Sequence, residues 1–443
     1  MYLQVCFRSQ FRKTLVCLMF AGVCFAQIDP GVRSGVAGAG GPIAGLTVKE
    51  GKFFASGQDA FAEVASVLGT LPNTEEGLGP RFNLDSCAGC HKFPAVGGSS
   101  PATNPQVSVA PASQVNPLIS MNIINPNGPV REVRFASDGG VHDLFTIMGR
   151  SDTPSGCSIS QPDFSGHTMD LRFRIPTPTF GAGLIEAISD STIAANEAVT
   201  PLKLSLGIGG HANRSGNDGT ITRFGWKAQN KSLVIFSGEA YNVEQGITND
   251  LFPDERGEGG VQDPLNCRMV AAGQDHTNYD QTQPQKIPGD AISFANFMRF
   301  LSPPAPVTSY GSVSATSIAN GAGKFASVGC AACHIPSLPT GQHDTGALAN
   351  KNANLYSDLL VHNMGTLGDG ISQGNAGPNE FRTAPLWGLG QRYYFLHDGR
   401  TDSLVQAIGA HSSAGSEANG VITNFNALSS TDKQDILNFL RSL

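Results

Sequence analysis

Charge is scarce in this chain. Only 15% of its 443 residues are Asp, Glu, Lys or Arg, against about a quarter in an ordinary soluble domain. No basic run occurs and the formal net charge is −7, which excludes a nucleic-acid binder that relies on Lys and Arg to displace counterions. Tryptophan is nearly absent, with only Trp226 and Trp387. Long apolar runs are missing except at the extreme N-terminus, so a polytopic membrane protein is excluded as well. Glycine and proline are in surplus, at 53 and 27 residues. With the low charge, that surplus indicates a loop-rich, globular, extracytoplasmic protein. The length suits one large domain or about two to three ordinary ones.

Arg8, Arg12 and Lys13 precede the apolar stretch from Thr14 to Phe25, which leads into Ala26. A basic region, an apolar core of about 12 residues and a small-residue end form a secretory signal, and that core is shorter than the ~20 residues a spanning helix needs. Residues 1–26 are therefore read as a signal peptide, with no integral membrane span expected after cleavage. Removing three positive charges and no negative one takes the net charge from −7 to −10. The expected location is periplasmic or otherwise exported.

Three of the nine cysteines leave with the signal. Four of the remaining six form Cys87-Ala88-Gly89-Cys90-His91 and Cys330-Ala331-Ala332-Cys333-His334. Two thiols three positions apart can form thioethers with the two vinyl groups of one haem, and the adjacent histidine then lies under the iron as its axial ligand. Small residues between the cysteines let the backbone approach the porphyrin edge. Zinc-finger spacing and the βαβ context of a redox CxxC are both missing. Two covalently bound c-type haems are expected, with Cys87, Cys90, Cys330 and Cys333 as attachment sites and His91 and His334 as iron ligands. Cys157 and Cys267 are left over, and in an oxidising compartment they could pair.

The expected fold is mainly α with long loops: two class I cytochrome c-like domains plus an inserted segment with some β-structure. Residues 27–45 are glycine-rich and read as a flexible lead-in. Residues 46–200 make the first haem domain, 201–290 the insertion and 291–443 the second haem domain. Residues 95–130 read as a loop around the first haem. Helices are expected around 58–68, 291–301, 314–327 and 431–443, the last opened by a Thr431/Gln434 capping box. The element Pro178-Thr179-Phe180-Gly181-Ala182-Gly183 parallels Pro385-Leu386-Trp387-Gly388-Leu389-Gly390, which points to an internal duplication.

These features resemble the di-haem oxidoreductase family, whose wider relatives are the bacterial di-haem cytochrome c peroxidases. The resemblance runs from about residue 45 to the C-terminus. It is carried by Pro176 to Ile188, Arg223 to Ala228, Asp358 to Gly365, and Phe381 to Gly390 continuing into Phe395 to Arg400. It implies one six-coordinate haem that relays electrons and one that opens a position for peroxide. Counting from His397 as in the peroxidases lands on His411 as the far-side ligand of the second haem, where relatives often carry methionine; His362 and Met364 are rivals. His397 itself would hold the His-Asp-Gly-Arg turn by hydrogen bonds. The first haem has no histidine between His91 and His142, so an open iron is expected, with His142 and His167 as alternative caps. Glu186 is the expected catalytic proton-transfer group at that haem; the alternative is a helix-ending residue or a partner of Arg174. Trp387 is the preferred inter-haem relay, and Thr383-Ala384-Pro385 matches a calcium-holding fragment of relatives.

The leading functional expectation is peroxidase-like reduction of hydrogen peroxide, or of another small oxidant, at the N-terminal haem. Electrons would come through the C-terminal haem from a small cytochrome or cupredoxin. The alternatives are a non-catalytic electron carrier and an oxidase of a protein side chain or organic substrate.

Overall fold

Thr47 supplies the first helix start. Its hydroxyl accepts from the Glu50 amide while Glu50 accepts from the Thr47 amide, a capping box ahead of α1 (Val48–Ala62). In this computed structural model, residues 27–256, 267, 274–275 and 289–443 are described; the expected signal peptide, 1–26, lies outside them. The short helix α2 (Cys87–Cys90) is the first haem motif itself. There follow α3 (Ala112–Ser120), α4 (Ala182–Glu186), α5 (Asp190–Ala195), α6 (Pro201–Leu206) and α7 (Leu233–Gln245). The set ends with α8 (Asp290–Phe300), α9 (Ala315–Val328), α10 (Leu404–Ala410), α11 (Asn419–Ala427) and α12 (Ser430–Ser442). Helices dominate, and the strands form small scattered sheets. The largest places Glu132–Phe135 antiparallel between Val141–His142 and Leu171–Arg174. No helix among the described residues is long and apolar enough to cross a membrane.

The duplication is visible in the packing. α1 crosses α8, and α9 crosses α12. At each crossing a glycine lets two backbones meet: a Cβ on Gly57 would lie 2.2 Å from the Ser293 carbonyl oxygen, and one on Gly321 2.0 Å from that of Asp435. The Pro-Gly elements repeat the device against the ends of the same helices. A Cβ on Gly183 would lie 1.9 Å from the Arg299 carbonyl oxygen, and one on Gly390 2.0 Å from that of Arg441. The helix ends are themselves related, Asn296-Phe297-Met298-Arg299-Phe300-Leu301 against Asn438-Phe439-Leu440-Arg441-Ser442-Leu443. Each arginine is then met by a carboxylate. Glu186 accepts from Arg299 Nε at 2.7 Å, and Asp29 accepts from Arg441 Nε at 2.7 Å and a terminal nitrogen at 2.8 Å.

α8, expected at the start of the second haem domain, packs on the first: Phe294 and Phe297 lie against Phe61 with ring centroids 5.9 and 4.9 Å apart, and one buried cluster runs from Phe54 through Phe297 to Leu338 and Trp387. The supposed insertion is likewise part of the first unit, since α7 packs on α8 and α4. Its described residues form helices and isolated bridges rather than strands; the remainder of 201–290 lies outside the described residues. The glycine-rich lead-in is a strap, not a loose tail. Arg33 donates its amide to Gly390, Ile43 to Phe300, and Asp29 both pairs with Arg441 and caps α10 at the Leu404 amide. Residues 95–130 include α3 as well as loop. α12 is capped by Ser429 rather than by a Thr431/Gln434 box, and Gln434 instead bonds Ile28. Cys157 and Cys267 are disulfide-bonded, with Cα atoms 4.6 Å apart.

Candidate haem centres

The two CxxCH motifs open onto two neighbouring cavities. The first, with about 1030 Å³ of atom-free space, is lined by Cys87, Cys90 and His91. The second, with about 1560 Å³, is lined by Cys330, Cys333 and His334. All four thiols are free, unlike the disulfide-bonded pair. Burial and the nearby Glu244 carboxylate push the Cys87 and Cys90 thiols up, and burial takes Cys330 to about 12. Thiols held protonated in this way do not suit a zinc thiolate site.

Three histidines are set the same way. His91 Nδ1 lies 3.1 Å from the Gly98 carbonyl, His334 Nδ1 3.0 Å from that of Tyr356, and His411 Nδ1 2.7 Å from that of Ala407. A carbonyl only accepts, so each Nδ1 carries the proton and each Nε2 keeps a lone pair. Burial lowers all three pKa values, His91 and His334 to about 4, and so keeps the rings in the neutral form that binds iron. His334 and His411 line the same cavity, whereas among the described residues His91 is the only histidine lining the first. Free thiols, pre-set imidazoles and adjoining cavities fit two c-type haems.

The rivals fare differently. His362 is held between Asp358, 2.9 Å from Nε2, and Glu417, 2.8 Å from Nδ1. Both nitrogens donate, so the ring is an imidazolium whose pKa these partners raise against its burial, and it has no lone pair for iron. That also disposes of Cys333, Asp358 and His362 as a metal site, although their ligand atoms cluster. Met364 lines the second cavity. His142 and His167 stack on opposite sides of Phe135, at 3.7 and 4.1 Å, and line neither cavity. His397 is stacked on Phe381 at 4.2 Å with its edge toward Trp226. The turn it was expected to hold is tied by Asp398 and Arg400 instead.

Glu186 requires the largest correction. It ends α4, but its carboxylate is taken by Arg299 and by the Leu233 amide at 2.9 Å, and it does not line the first cavity. Its partner is Arg299 rather than Arg174, which pairs with Asp369 at 2.6 Å. The carboxyl groups that do line the first cavity are Glu132, Glu239 and Glu244. Glu244, near the end of α7, is raised to about 8 by burial and by the charges of the other two. No local motif marks it; the Asn-Phe-x-Arg repeat would have placed α7 in the first unit and so pointed toward it. Trp226, not Trp387, lines both cavities, fixed by a 2.9 Å bond from its indole N–H to the Ile175 carbonyl. The calcium fragment finds no support, because the Thr383 and Pro385 carbonyls already accept from Ser357 and Arg392.

Residues 143–443 match the family model described as "Di-haem oxidoreductase, putative peroxidase". The chain belongs to the di-haem oxidoreductase family. The matched span contains the second CxxCH and leaves the first outside. Among solved structures, hydrazine synthase from Kuenenia stuttgartiensis is 14% identical, with 94% of this chain and 98% of that one covered and a TM-score of 0.34. The diheme peroxidase BthA from Burkholderia thailandensis is 14% identical over 60% and 86% of the two chains, at 0.27. A MauG-like protein associated with microbial copper homeostasis is 16% identical over 66% and 95%, at 0.29. No curated protein matches.

Proposed function

We propose that this is an exported di-haem oxidoreductase that reduces hydrogen peroxide in the first cavity with electrons delivered through the second. The observation that carries the reading is the asymmetry of the cavities. Among the described residues the first offers His91 and a buried carboxyl group raised to about 8, while the second offers His334 and His411, each with Nδ1 bonded to a carbonyl and Nε2 left free. Haem held by Cys87, Cys90 and His91, and by Cys330, Cys333, His334 and His411, would supply the iron and its one-electron redox chemistry.

The chain's part in peroxide reduction is proton management. The overall change takes one peroxide, two electrons and two protons to two waters. Glu244 holds a proton on its carboxyl group near neutral pH and gives it to the departing oxygen, which would otherwise leave as costly hydroxide. Glu132 and Glu239 keep that proton in place by their charge. Trp226 borders both cavities and is the relay residue between them. The repeated helix crossings support a class I cytochrome c-like plan for each unit, and the disulfide supports export to the periplasm or beyond. The acidic mature chain favours a basic electron donor, a small cytochrome or cupredoxin, because opposite charge speeds encounter.

Electron paramagnetic resonance of the oxidised and half-reduced holoprotein tests the reading. A high-spin ferric signal from one haem, abolished by substituting His91, is the expected result. Two low-spin signals that persist on half-reduction would make the protein an electron carrier instead.

A further inference from the structure

Arg382 and Arg392 are neighbouring guanidiniums, and the Asp358 carboxylate acts on Arg382 only through its field. Both line the second cavity and the recess beside it that contains Trp226 and Trp387. Among the described residues neither forms an ion pair with a carboxylate. Arg382 Nε donates to the Gly225 carbonyl at 3.1 Å, and its terminal Nη1 is buried without any partner. Arg392 donates one terminal nitrogen to the Pro385 carbonyl at 3.1 Å. Burial brings both down to about 10, and at Arg382 the like charge of Arg392 adds to this while Asp358 opposes it. Two neighbouring cations taken out of water and left unmatched are strongly unfavourable. In the first cavity Arg134 is matched by Glu132 at 2.7 Å and Arg174 by Asp369 at 2.6 Å, which leaves a single arginine there, Arg131, with a buried unpartnered Nε.

We infer that Arg382 and Arg392 form the receptor for the two propionate carboxylates of the second haem, and that their charge holds up its reduction potential. A haem c brings two carboxylates into the protein on the edge away from its thioethers, matching two unmatched guanidiniums in number and sign. Planar guanidinium forks suit carboxylates in bidentate geometry, and backbone carbonyl contacts leave terminal donors free on both residues. Positive charge close to the ring favours the ferrous over the ferric state. This opposes the lowering expected when histidine replaces a methionine ligand. The inference rests on the second cavity holding a haem, as proposed above.

The test is spectroelectrochemical titration of the holoprotein and of its Arg382→Gln and Arg392→Gln variants. Each preparation is first assayed for haem content by pyridine haemochrome. Fewer than two haems in the unaltered protein would defeat the reading of the cavities rather than the role of the arginines. With two haems present, each Gln variant should shift the reduction equilibrium of the second haem at least tenfold toward ferric, about 59 mV for one electron. The first haem should hold its potential, and Arg382→Lys and Arg392→Lys should restore most of the shift. Unchanged potentials in variants that retain both haems would overturn the inference. If the Gln variants do not retain the second haem, the unaltered protein decides. Its redox-difference infrared spectrum should show guanidinium bands moving as the second haem is reduced, and bands that stay still would overturn the proposal.

Discussion

Replacing Glu244 by glutamine keeps the shape of the first cavity and removes the proton that the cavity stores. With its pKa at about 8, the Glu244 carboxyl is about 90% neutral at pH 7 and about 10% neutral at pH 9. The sign follows from the direction of the shift: the proton donor is present below the raised pKa and is lost as pH rises through it. Peroxide turnover by the unaltered protein should therefore fall by roughly tenfold between those two pH values. Glu244→Gln should lower turnover at pH 7 by about 10²- to 10⁴-fold, the usual contribution of a positioned general acid. Its remaining activity should lose the alkaline limb. Glu132→Gln and Glu239→Gln each remove a like charge that raises Glu244, so both should move the limb to lower pH. Steady-state rates of donor oxidation by peroxide, measured across pH 6 to about 9.5, make the comparison. A Glu244→Gln protein with unchanged rate and unchanged pH profile would refute the argument. So would a Glu186→Gln protein of unaltered fold that lost turnover to the same extent.

Other consequences can be measured separately. Substituting His411 by alanine should turn the second haem from low-spin to high-spin in paramagnetic resonance, while the first keeps its signal. Trp226→Phe should slow electron equilibration between the haems in stopped-flow reduction, and Trp387→Phe should leave it unchanged. Asp29→Asn breaks a pair whose Arg441 side chain is 1% exposed and whose Asp29 side chain is 13% exposed. It should cost about 2–4 kcal/mol in denaturant unfolding, toward the lower part of the range for buried pairs because the carboxylate is partly wet. The Asp29 carboxyl is held below its ordinary range, with Arg441 and the Leu404 amide outweighing burial. Its contribution is therefore complete above the unfolded pKa and fades as pH falls through the lower folded value. Cys157→Ser should cost about 2–5 kcal/mol, read the same way.

The parts of this protein that were legible in its sequence are those whose chemistry is local. Each CxxCH puts two thiols and a histidine within five positions, and each motif lines one of the two cavities, so noticing it needs no tertiary information. α8, α9 and α12 were visible to within a residue because one apolar face is enough to mark them, whereas α1, expected over 58–68, lies at Val48–Ala62 behind its Thr47 cap. What failed was assignment across distance. Glu186 follows a family-like element, but its fate is decided by Arg299, 113 positions further on. α8 begins soon after a segment with little pattern and ends at two prolines, which reads as an opening; only its contacts with Phe54 and Phe61 reveal a closing helix. Glu244 sits in a helix with no motif around it, and its proton affinity depends on Glu239 from the same helix and on Glu132 from a distant strand. His411, reached by counting from an element that resembles relatives, lines the second cavity together with His334.

The two arginine clamps also imply an order of assembly. Arg299 finds Glu186 within the first unit, whereas Arg441 must reach Asp29 across 412 positions. Closing so long a loop costs only slightly more at equilibrium than closing a short one, but contacts of large sequence separation form slowly. The first unit can mature around its cofactor while the second still lacks its latch. On refolding, protection of α12 amides should trail that of α8. The strap from Asp29 to Ile43 is then the seam along which the finished molecule first reopens, releasing the second centre before the first.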